Sequence, residues 1–215
     1  MSGPSKAPTS AAVSTAGRGG GTAIVVVGPS GAGKDSVMGF AARHFTGDGR
    51  VVFATRVITR PADAGGENHR SVDSETFLRL KREGAFCVSW EAHGLSYGVP
   101  AETRDAVEAG CVVIVNGSRQ ALPAFAAAFP RVRIVTITAD AEVRAERLAR
   151  RGREGAAAIA ARLDRRPREP ECALENVTID NSGPLETAGN AFVALLRTTL
   201  GASGPASLAG ERPVG

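Results

Sequence analysis

Nearly continuous apolar runs, separated by segments of helical spacing, organise the middle of the chain. "TAIVVV" (Thr22–Val27) and "VRIVTIT" (Val132–Thr138) have the length expected for strands that are buried on both faces. "CVVIVNG", whose run ends at Asn116, has the same character, and "VVFATRVIT" and "NVTIDNSG" are two further candidate strands. Strands without polar alternation favour a parallel sheet that is covered on both sides.

Helical periodicity follows several of these runs. "DSVMGFAARHF" carries apolar residues at Val37, Phe40 and Ala41, and "DAEVRAERLARRG" reads as a helix with a stop at Gly152. "PLETAGNAFVALLRTTL" is an amphipathic last helix. Strands that alternate with helices predict an α/β fold with a doubly wound parallel sheet.

The two ends of the chain differ from the middle. Residues 1–20 and 201–215 are small and polar without periodicity, and we expect them to be disordered. The chain of 215 residues therefore predicts one domain over 21–200. No run approaches the roughly 18 apolar residues of a membrane span, so no membrane partner is expected. Cys87, Cys111 and Cys172 lie far apart in sequence, which favours a reducing, cytoplasmic location.

The strongest motif is G-x-x-x-x-G-K, formed by Gly28, Gly33 and Lys34, because it follows a predicted strand and precedes a predicted helix. Its glycines let backbone N–H groups surround a phosphate chain, and the N-terminus of the helix adds a favourable dipole. Lys34 would then reach the β- and γ-phosphates of ATP, as a catalytic residue. The predicted ATP-binding residues are Gly28, Pro29, Ser30, Gly31, Ala32, Gly33, Lys34, Asp35 and Ser36.

Asp35 stands where this motif normally carries Ser or Thr, whose hydroxyl contacts the magnesium ion. Many phosphate-loop enzymes also place an aspartate at the end of a core strand, and this chain has Asn116 there. We hypothesise an exchange, in which a carboxylate on the loop replaces the one at the strand end. Asp35 is then the predicted Mg²⁺ ligand, since this ion prefers oxygen. The alternative is that Asp35 only caps its helix.

The segments "GPSGAGK", "ITRP", "GGE", "SWEAHGLSYGV", "RLARRGRE" and "IAARL", in that order, resemble the guanylate kinase family over nearly the whole predicted domain. "GKDS", "ITR", "ENH", "SW", "NGSR" and "RGRE" are together similar to one branch of that superfamily, the ribose 1,5-bisphosphate phosphokinases of phosphonate breakdown. The resemblance implies a P-loop NTPase fold with a nucleoside-monophosphate-kinase-type lid at about 147–166. It also implies a small acceptor-binding subdomain at about 54–100.

Two departures from guanylate kinases argue against a guanine acceptor. The glutamate that reads the base in those enzymes corresponds to Ser89, before Trp90, and the Ser or Thr after their Tyr-Gly pair corresponds to Val99. The N–H groups of a purine would then lack acceptors in a closed site, which is unfavourable.

Positive charge takes the place of the base-reading residues. By resemblance, Arg60 holds a phosphate of the acceptor, and Arg56 falls where guanylate kinases commonly have Ser. Positions i and i+4 of an extended strand face the same side, so both guanidiniums could reach one pocket. Forked guanidiniums suit a sugar with two phosphates. The complete predicted acceptor set is Arg56, Arg60, Glu67, Asn68, His69, Tyr97, Asn116 and Arg119.

Arginines crowd between Arg144 and Arg168. Such a run is commonly a solvated helix face or a nucleic-acid patch. No aromatic residues are interleaved with it, so nucleic acid is not expected as a partner. By resemblance the segment is a lid, and Arg151 and Arg162 are catalytic residues that reach the transferring phosphoryl group.

The expected reaction uses ATP and Mg²⁺ to convert ribose 1,5-bisphosphate into 5-phosphoribosyl 1-diphosphate, with release of ADP. The adenine of ATP is expected near Asn181 and the lid. A guanylate kinase of unusual sequence and a non-catalytic guanylate-kinase-like binding module stay open as alternatives. The expected partners are small molecules, and the sequence is compatible with a homodimer.

Overall fold

The computed structural model describes residues 20–61, 68–150 and 174–202. Fifteen helices and strands lie in these ranges. In chain order they are β1 (Thr22–Val27), α1 (Lys34–His44), β2 (Val51–Phe53), β3 (Val57–Ile58), β4 (Arg70–Ser71), α2 (Ser74–Arg82), β5 (Phe86–Ala92), β6 (Leu95–Pro100), α3 (Glu102–Glu108), β7 (Val112–Asn116), α4 (Leu122–Ala128), β8 (Val132–Thr138), α5 (Ala141–Arg150), β9 (Glu175–Asp180) and α6 (Leu185–Ala202).

A parallel five-stranded sheet forms the centre, in the order β2, β7, β1, β8, β9. Side chains alternate between its two faces. On β1, Ile24 and Val26 join a core with α1 and α6, whereas Val25 and Val27 join a second core that contains Phe125 of α4. The apolar runs are therefore buried on both sides, and the predicted doubly wound α/β sheet is confirmed.

The predicted strands and helices of this central layer agree well with the structure. β1 and β8 coincide with the predicted runs, and β7, β9, α1, α5 and α6 lie where the sequence indicates. Helix α6 ends at Ala202, two residues beyond the predicted end of the domain. The segments 1–19 and 203–215, predicted to be disordered, lie outside the described residues. No helix in the described ranges is both long and apolar enough to cross a membrane.

One predicted strand is wrong. "VVFATRVIT" is not a single strand, because β2 pairs with β7 in the central sheet whereas β3 pairs with β4 and β6 in a second sheet. Residues 54–56 carry the chain from one sheet to the other. The inference that Arg56 and Arg60 share one face of an extended strand therefore fails, since neither residue lies in a strand.

The second sheet occupies the predicted acceptor-binding region and has the order β4, β3, β6, β5. Strands β5 and β6 form a hairpin whose turn residues, His93 and Gly94, have φ values of 54° and 73°, as a type I′ turn requires. Gly98 of β6 lets the ring of Phe86 pack directly on the backbone, because a Cβ there would lie 2.7 Å from that ring.

Candidate active site

The carboxyl ends of the parallel strands meet at one edge of the central sheet, where α/β proteins bind ligands. The glycine-rich loop follows β1, Arg56 follows β2, and Arg119 follows β7. Helix α5 follows β8, and Asn181 follows β9 directly. Most of the predicted site residues within the described ranges therefore lie near this edge or in the second sheet beside it.

The loop between β1 and α1 has the backbone of a phosphate cradle. Gly28 has a φ of 153°, and a Cβ there would clash with the carbonyl oxygen of Ile137 on β8. Gly33 is the N-cap of α1 and is left-handed, with a φ of 85°. The Lys34 ammonium donates hydrogen bonds to the carbonyl oxygens of Gly28 at 2.9 Å and Pro29 at 3.3 Å. Its charge is thus held against the loop, beside the amide-rich start of the helix.

Asp35 and Asn116 are in direct contact. The Asn116 amide donates a hydrogen bond of 2.8 Å from Nδ2 to Asp35 Oδ1, and Asn116 is only 7% exposed. Asp35 is not the helix cap, because Gly33 occupies that position and α1 has no side-chain cap bond. A carboxylate in the first turn still gains from the helix dipole. The interpretation of Asp35 as a cap is therefore wrong, and the two residues of the hypothesised exchange face each other.

The residues present fit a magnesium ion of the kind that binds with a nucleotide. Mg²⁺ usually takes one or two carboxylates together with substrate phosphates and water, and an ionised carboxylate offers two acceptor oxygens with several lone pairs. The described ranges contain no cluster of three or more His, Cys, Asp or Glu side chains that could hold a metal without such help. Asp35, oriented by Asn116, therefore suits a magnesium site whose other ligands are nucleotide phosphates and water, and not a site formed by protein ligands alone.

Two residues that lie against the loop were not predicted there. The Asn181 side chain is 2% exposed and donates a hydrogen bond of 2.8 Å from Nδ2 to the carbonyl oxygen of Ala32. This amide fixes the loop, and the expected position of adenine near the Asn181 loop stays a prediction. Arg147 of α5 places Nη1 within 3.6 Å of where a Cβ of Gly33 would be. That nitrogen is buried and has no hydrogen-bond partner among the described residues.

Arg56 is buried against the second sheet. It is 6% exposed, and its guanidinium carbon lies 5.5 Å from the ring centre of Trp90 and 5.1 Å from that of Tyr97. The Trp90 ring also contacts Phe125 of α4, at 5.9 Å between ring centres. The predicted acceptor residues Arg56 and Tyr97 are thus brought together, by a contact that the sequence pattern did not show.

Arg60 and His69 form a second pair. The Arg60 Nη2 atom lies 3.3 Å from His69 Nδ1, and His69 Nε2 lies 3.2 Å from the Arg60 carbonyl oxygen. A guanidinium only donates, so Nδ1 accepts and Nε2 carries the proton. Ser71 also donates to the Arg60 carbonyl oxygen, at 2.6 Å. Arg60 is therefore held at both its backbone and its side chain.

Arg119 begins the 3-10 turn Arg119–Ala121 after β7. Burial lowers the pKa of its guanidinium. Its Nε is buried without a hydrogen-bond partner among the described residues. A half-buried cation held this way is costly unless an anion binds to it, which suits a phosphate ligand.

The remaining predicted residues are placed as follows. Asn68 is exposed. Glu67, Arg151 and Arg162 lie outside the described residues, as does most of the predicted lid at 147–166. Their roles stay predictions from the resemblance.

Comparison with known proteins identifies the family. The model of the AAA domain family matches residues 24–169. A ribose 1,5-bisphosphate phosphokinase PhnN of Rhizobium etli is 51% identical over 176 residues, which cover 82% of this chain and 89% of the relative. The enzyme of the same name from Agrobacterium fabrum is 49% identical over 182 residues, covering 85% of this chain and all of the relative. The chain belongs to the ribose 1,5-bisphosphate phosphokinase family.

The fold comparison agrees with that membership. A crystal structure of guanylate kinase from Anaplasma phagocytophilum superposes on this chain with a TM-score of 0.61 at 22% identity, covering 83% of this chain and 86% of that one. Likeness at this identity concerns the fold alone. The resemblance to the ribose 1,5-bisphosphate phosphokinases is confirmed by the two relatives.

Proposed function

We propose that this chain transfers the γ-phosphoryl group of ATP to the 1-phosphate of ribose 1,5-bisphosphate, giving ADP and 5-phosphoribosyl 1-diphosphate. Membership of the phosphokinase family supports the substrate. The observation that carries the proposal is the placement of Arg56 and Arg119 after strands of the same sheet edge as the Lys34 loop. The proposed phosphate-binding groups thus follow three neighbouring strands, β2, β7 and β1, at one edge of the sheet.

The chemistry needs positioning and charge neutralisation. An oxygen of the acceptor phosphate, already ionised at neutral pH, forms the new bond to the γ-phosphorus while the bond between that phosphorus and the β–γ bridging oxygen breaks. The electron pair leaves with ADP, so no general base is required. Arg56, Arg60 and Arg119 hold the acceptor, and Lys34 neutralises charge on the donor phosphates.

Mg²⁺, when bound with ATP, would neutralise negative charge on the donor phosphates. Asp35 would hold it, and Asn116 would orient Asp35 through the bond between the two side chains. Arg151 and Arg162 are proposed to bring further positive charge from the lid. Because ATP is the co-substrate, we place the reaction in the cytoplasm, with small molecules as the only proposed ligands.

A coupled ADP assay with ribose 1,5-bisphosphate or GMP as acceptor tests the proposal. We expect ribose 1,5-bisphosphate to be preferred by at least about 100-fold in kcat/KM, since a site that lacks the base's partners rejects it strongly. Better turnover of GMP would make the chain a guanylate kinase, and no turnover of either would favour a binding module. Phosphorus NMR of the product should show a diphosphate.

Lys34→Ala is the matched active-site variant, with Lys81→Ala as its control. Lys81 lies in the last turn of α2 and is exposed. Loss of Lys34 removes a charge from the donor phosphates, and we expect kcat to fall by about 100-fold to 1,000-fold. Lys81→Ala should keep the wild-type rate. Equal activity of the two variants would contradict the assigned role of Lys34.

A further inference from the structure

The only tryptophan and the only tyrosine of the chain lie against each other. Trp90 of β5 and Tyr97 of β6 are directly paired across the hairpin. Their ring centres are 5.2 Å apart and their planes differ by 5°. Stacked rings across a hairpin form a flat, rigid surface, because a pair in register restricts both side chains.

The Arg56 guanidinium completes this arrangement. Its carbon lies 5.5 Å from the ring centre of Trp90 and 5.1 Å from that of Tyr97, so the guanidinium is nearly equidistant from the two rings. The backbone of Arg56 is also fixed, because its carbonyl oxygen accepts a hydrogen bond of 2.8 Å from the Arg70 amide. The side chain of an arginine ordinarily has many rotamers. Here the backbone of Arg56 is held by the hydrogen bond, and its guanidinium is held by the two rings.

This arrangement favours one kind of ligand. Aromatic rings attract the delocalised charge of a guanidinium through its face, and all N–H donors of the guanidinium lie in its plane. A guanidinium that is held against two rings therefore keeps its donors in one fixed plane, which suits the oxygens of a phosphate. Ordering the side chain before binding reduces the entropy lost when the ligand arrives.

We propose that the Trp90–Tyr97 pair is a positioning element that holds Arg56 in the orientation in which it binds a phosphate of the acceptor. This inference rests on the proposed function and adds that acceptor affinity depends on the two rings. Trp90 and Tyr97 act through Arg56. The affinity for ATP, which the loop after β1 binds, does not depend on them.

Tyr97→Leu removes the ring and keeps an apolar side chain. We expect the KM for ribose 1,5-bisphosphate to rise about tenfold, equivalent to about 1.4 kcal/mol, while the KM for ATP stays within about twofold of wild type. Tyr97→Phe keeps the ring and should lie much closer to wild type. If Tyr97→Phe is as impaired as Tyr97→Leu, the hydroxyl and not the ring matters, and the proposal fails.

Phe86→Leu is the matched control for a general loss of structure. Phe86 stacks on Phe77 in the same subdomain, at 4.8 Å between ring centres, whereas the rings of Trp90 and Tyr97 contact Arg56. Both leucine variants remove one aromatic pair, so both should lower the melting temperature. Only Tyr97→Leu should change the ratio of the two KM values. If the ratio of the two KM values is similar in both variants, the rings of Trp90 and Tyr97 stabilise the fold and do not position Arg56.

Arg56→Lys tests whether the rings act through the arginine, because lysine keeps the charge and lacks the planar face. We expect an increase in acceptor KM of about tenfold or more, and no further increase when Tyr97→Leu is added. If the two substitutions multiply their separate increases in acceptor KM, the proposal is overturned. If Tyr97→Leu does not fold, Arg56→Lys decides alone, since a wild-type acceptor KM in that variant would overturn the proposal.

The single tryptophan provides a binding signal that needs no turnover. Titration of the wild-type enzyme with ribose 1,5-bisphosphate should change the Trp90 emission, and the same titration of Tyr97→Leu should give a Kd about tenfold higher. A wild-type enzyme that does not phosphorylate ribose 1,5-bisphosphate would refute the proposed function. A wild-type enzyme that does so, with an unchanged Kd in Tyr97→Leu, would refute this inference only.

Discussion

Replacing Asn116 by Asp turns the contact with Asp35 from attraction into repulsion. The wild-type contact is a hydrogen bond of 2.8 Å to a carboxylate, at a position where Asn116 is 7% exposed. Hydrogen bonds to charged groups contribute about 1.5–3 kcal/mol. Two carboxylates at about 4 Å repel by about 4 kcal/mol at the effective dielectric constant of a protein near its surface. Because a carboxylate can rotate or take up a proton, we expect a net loss of about 3 kcal/mol in the free energy of unfolding.

A loss of this size lowers the melting temperature by about 6–12 °C in a domain of this length. The loss has a defined pH dependence. The repulsion raises the pKa of one carboxyl of the pair above its ordinary value of about 4. Asn116→Asp therefore keeps its stability at a pH below the ordinary pKa of the carboxyl, and it loses stability as the pH rises through the raised pKa. Thermal unfolding without magnesium at about pH 5 and about pH 8 measures it, and added Mg²⁺ should restore more stability to Asn116→Asp than to wild type.

The exchanged pair and a control complete this experiment. Adding Asp35→Ser to Asn116→Asp restores one carboxylate and one hydroxyl donor, so the double variant should lie within about 1 kcal/mol of wild type. Asn176→Asp is the control, because Asn176 accepts a hydrogen bond of 2.9 Å from Thr136 and a carboxylate can accept it too. A loss below about 1 kcal/mol in Asn116→Asp at about pH 8, or additive effects in the double variant, would refute the reasoning.

Two further predictions concern the loop and the acceptor side. Gly28→Ala places a Cβ against the carbonyl oxygen of Ile137 at a φ of 153°. We expect thermal unfolding to show a loss of about 2–4 kcal/mol, whereas Gly39→Ala, in α1 with nothing within 4 Å, should stabilise by about 0.5–1 kcal/mol. Arg119→Gln removes a cation whose pKa is lowered by burial, so the unliganded protein should keep or gain stability while the acceptor KM rises about tenfold or more. Lost stability with an unchanged KM would contradict that role for Arg119.

The sequence predicts the central layer because its signals are local. β1 is a continuous buried run, and the loop that follows has its glycines at the two positions where the backbone requires them, Gly28 and Gly33. The apolar run and the spacing of the glycines are both visible in the local sequence, so predicting them needs no knowledge of distant contacts. The same holds for β8 and for the long apolar face of α6.

The second sheet could not be predicted in this way. β5 is partly exposed and contains a register shift between Phe86 and Val88, so its apolar pattern is irregular. β3 consists of Val57 and Ile58 alone, and its antiparallel partner β6 lies about forty residues later in the chain. In sequence, those two residues extend the apolar run of β2. The contact of Arg56 with Trp90 and Tyr97 depends on this crossing between sheets, and it was missed for that reason.

The contact between Asp35 and Asn116 joins residues 81 positions apart, and the strand register explains it. β1 and β7 are parallel neighbours with Val26 opposite Asn116, so β7 ends beside the start of the loop. α1 then begins above that edge, and its first turn faces the last side chain of β7. Two carboxylates in these positions would repel each other, and two neutral side chains would offer a metal no charge. One carboxylate and one neutral donor satisfy both conditions, whichever side carries the charge. An aspartate at position 35 therefore requires a neutral donor at position 116, and the two departures from the common motif are one structural feature.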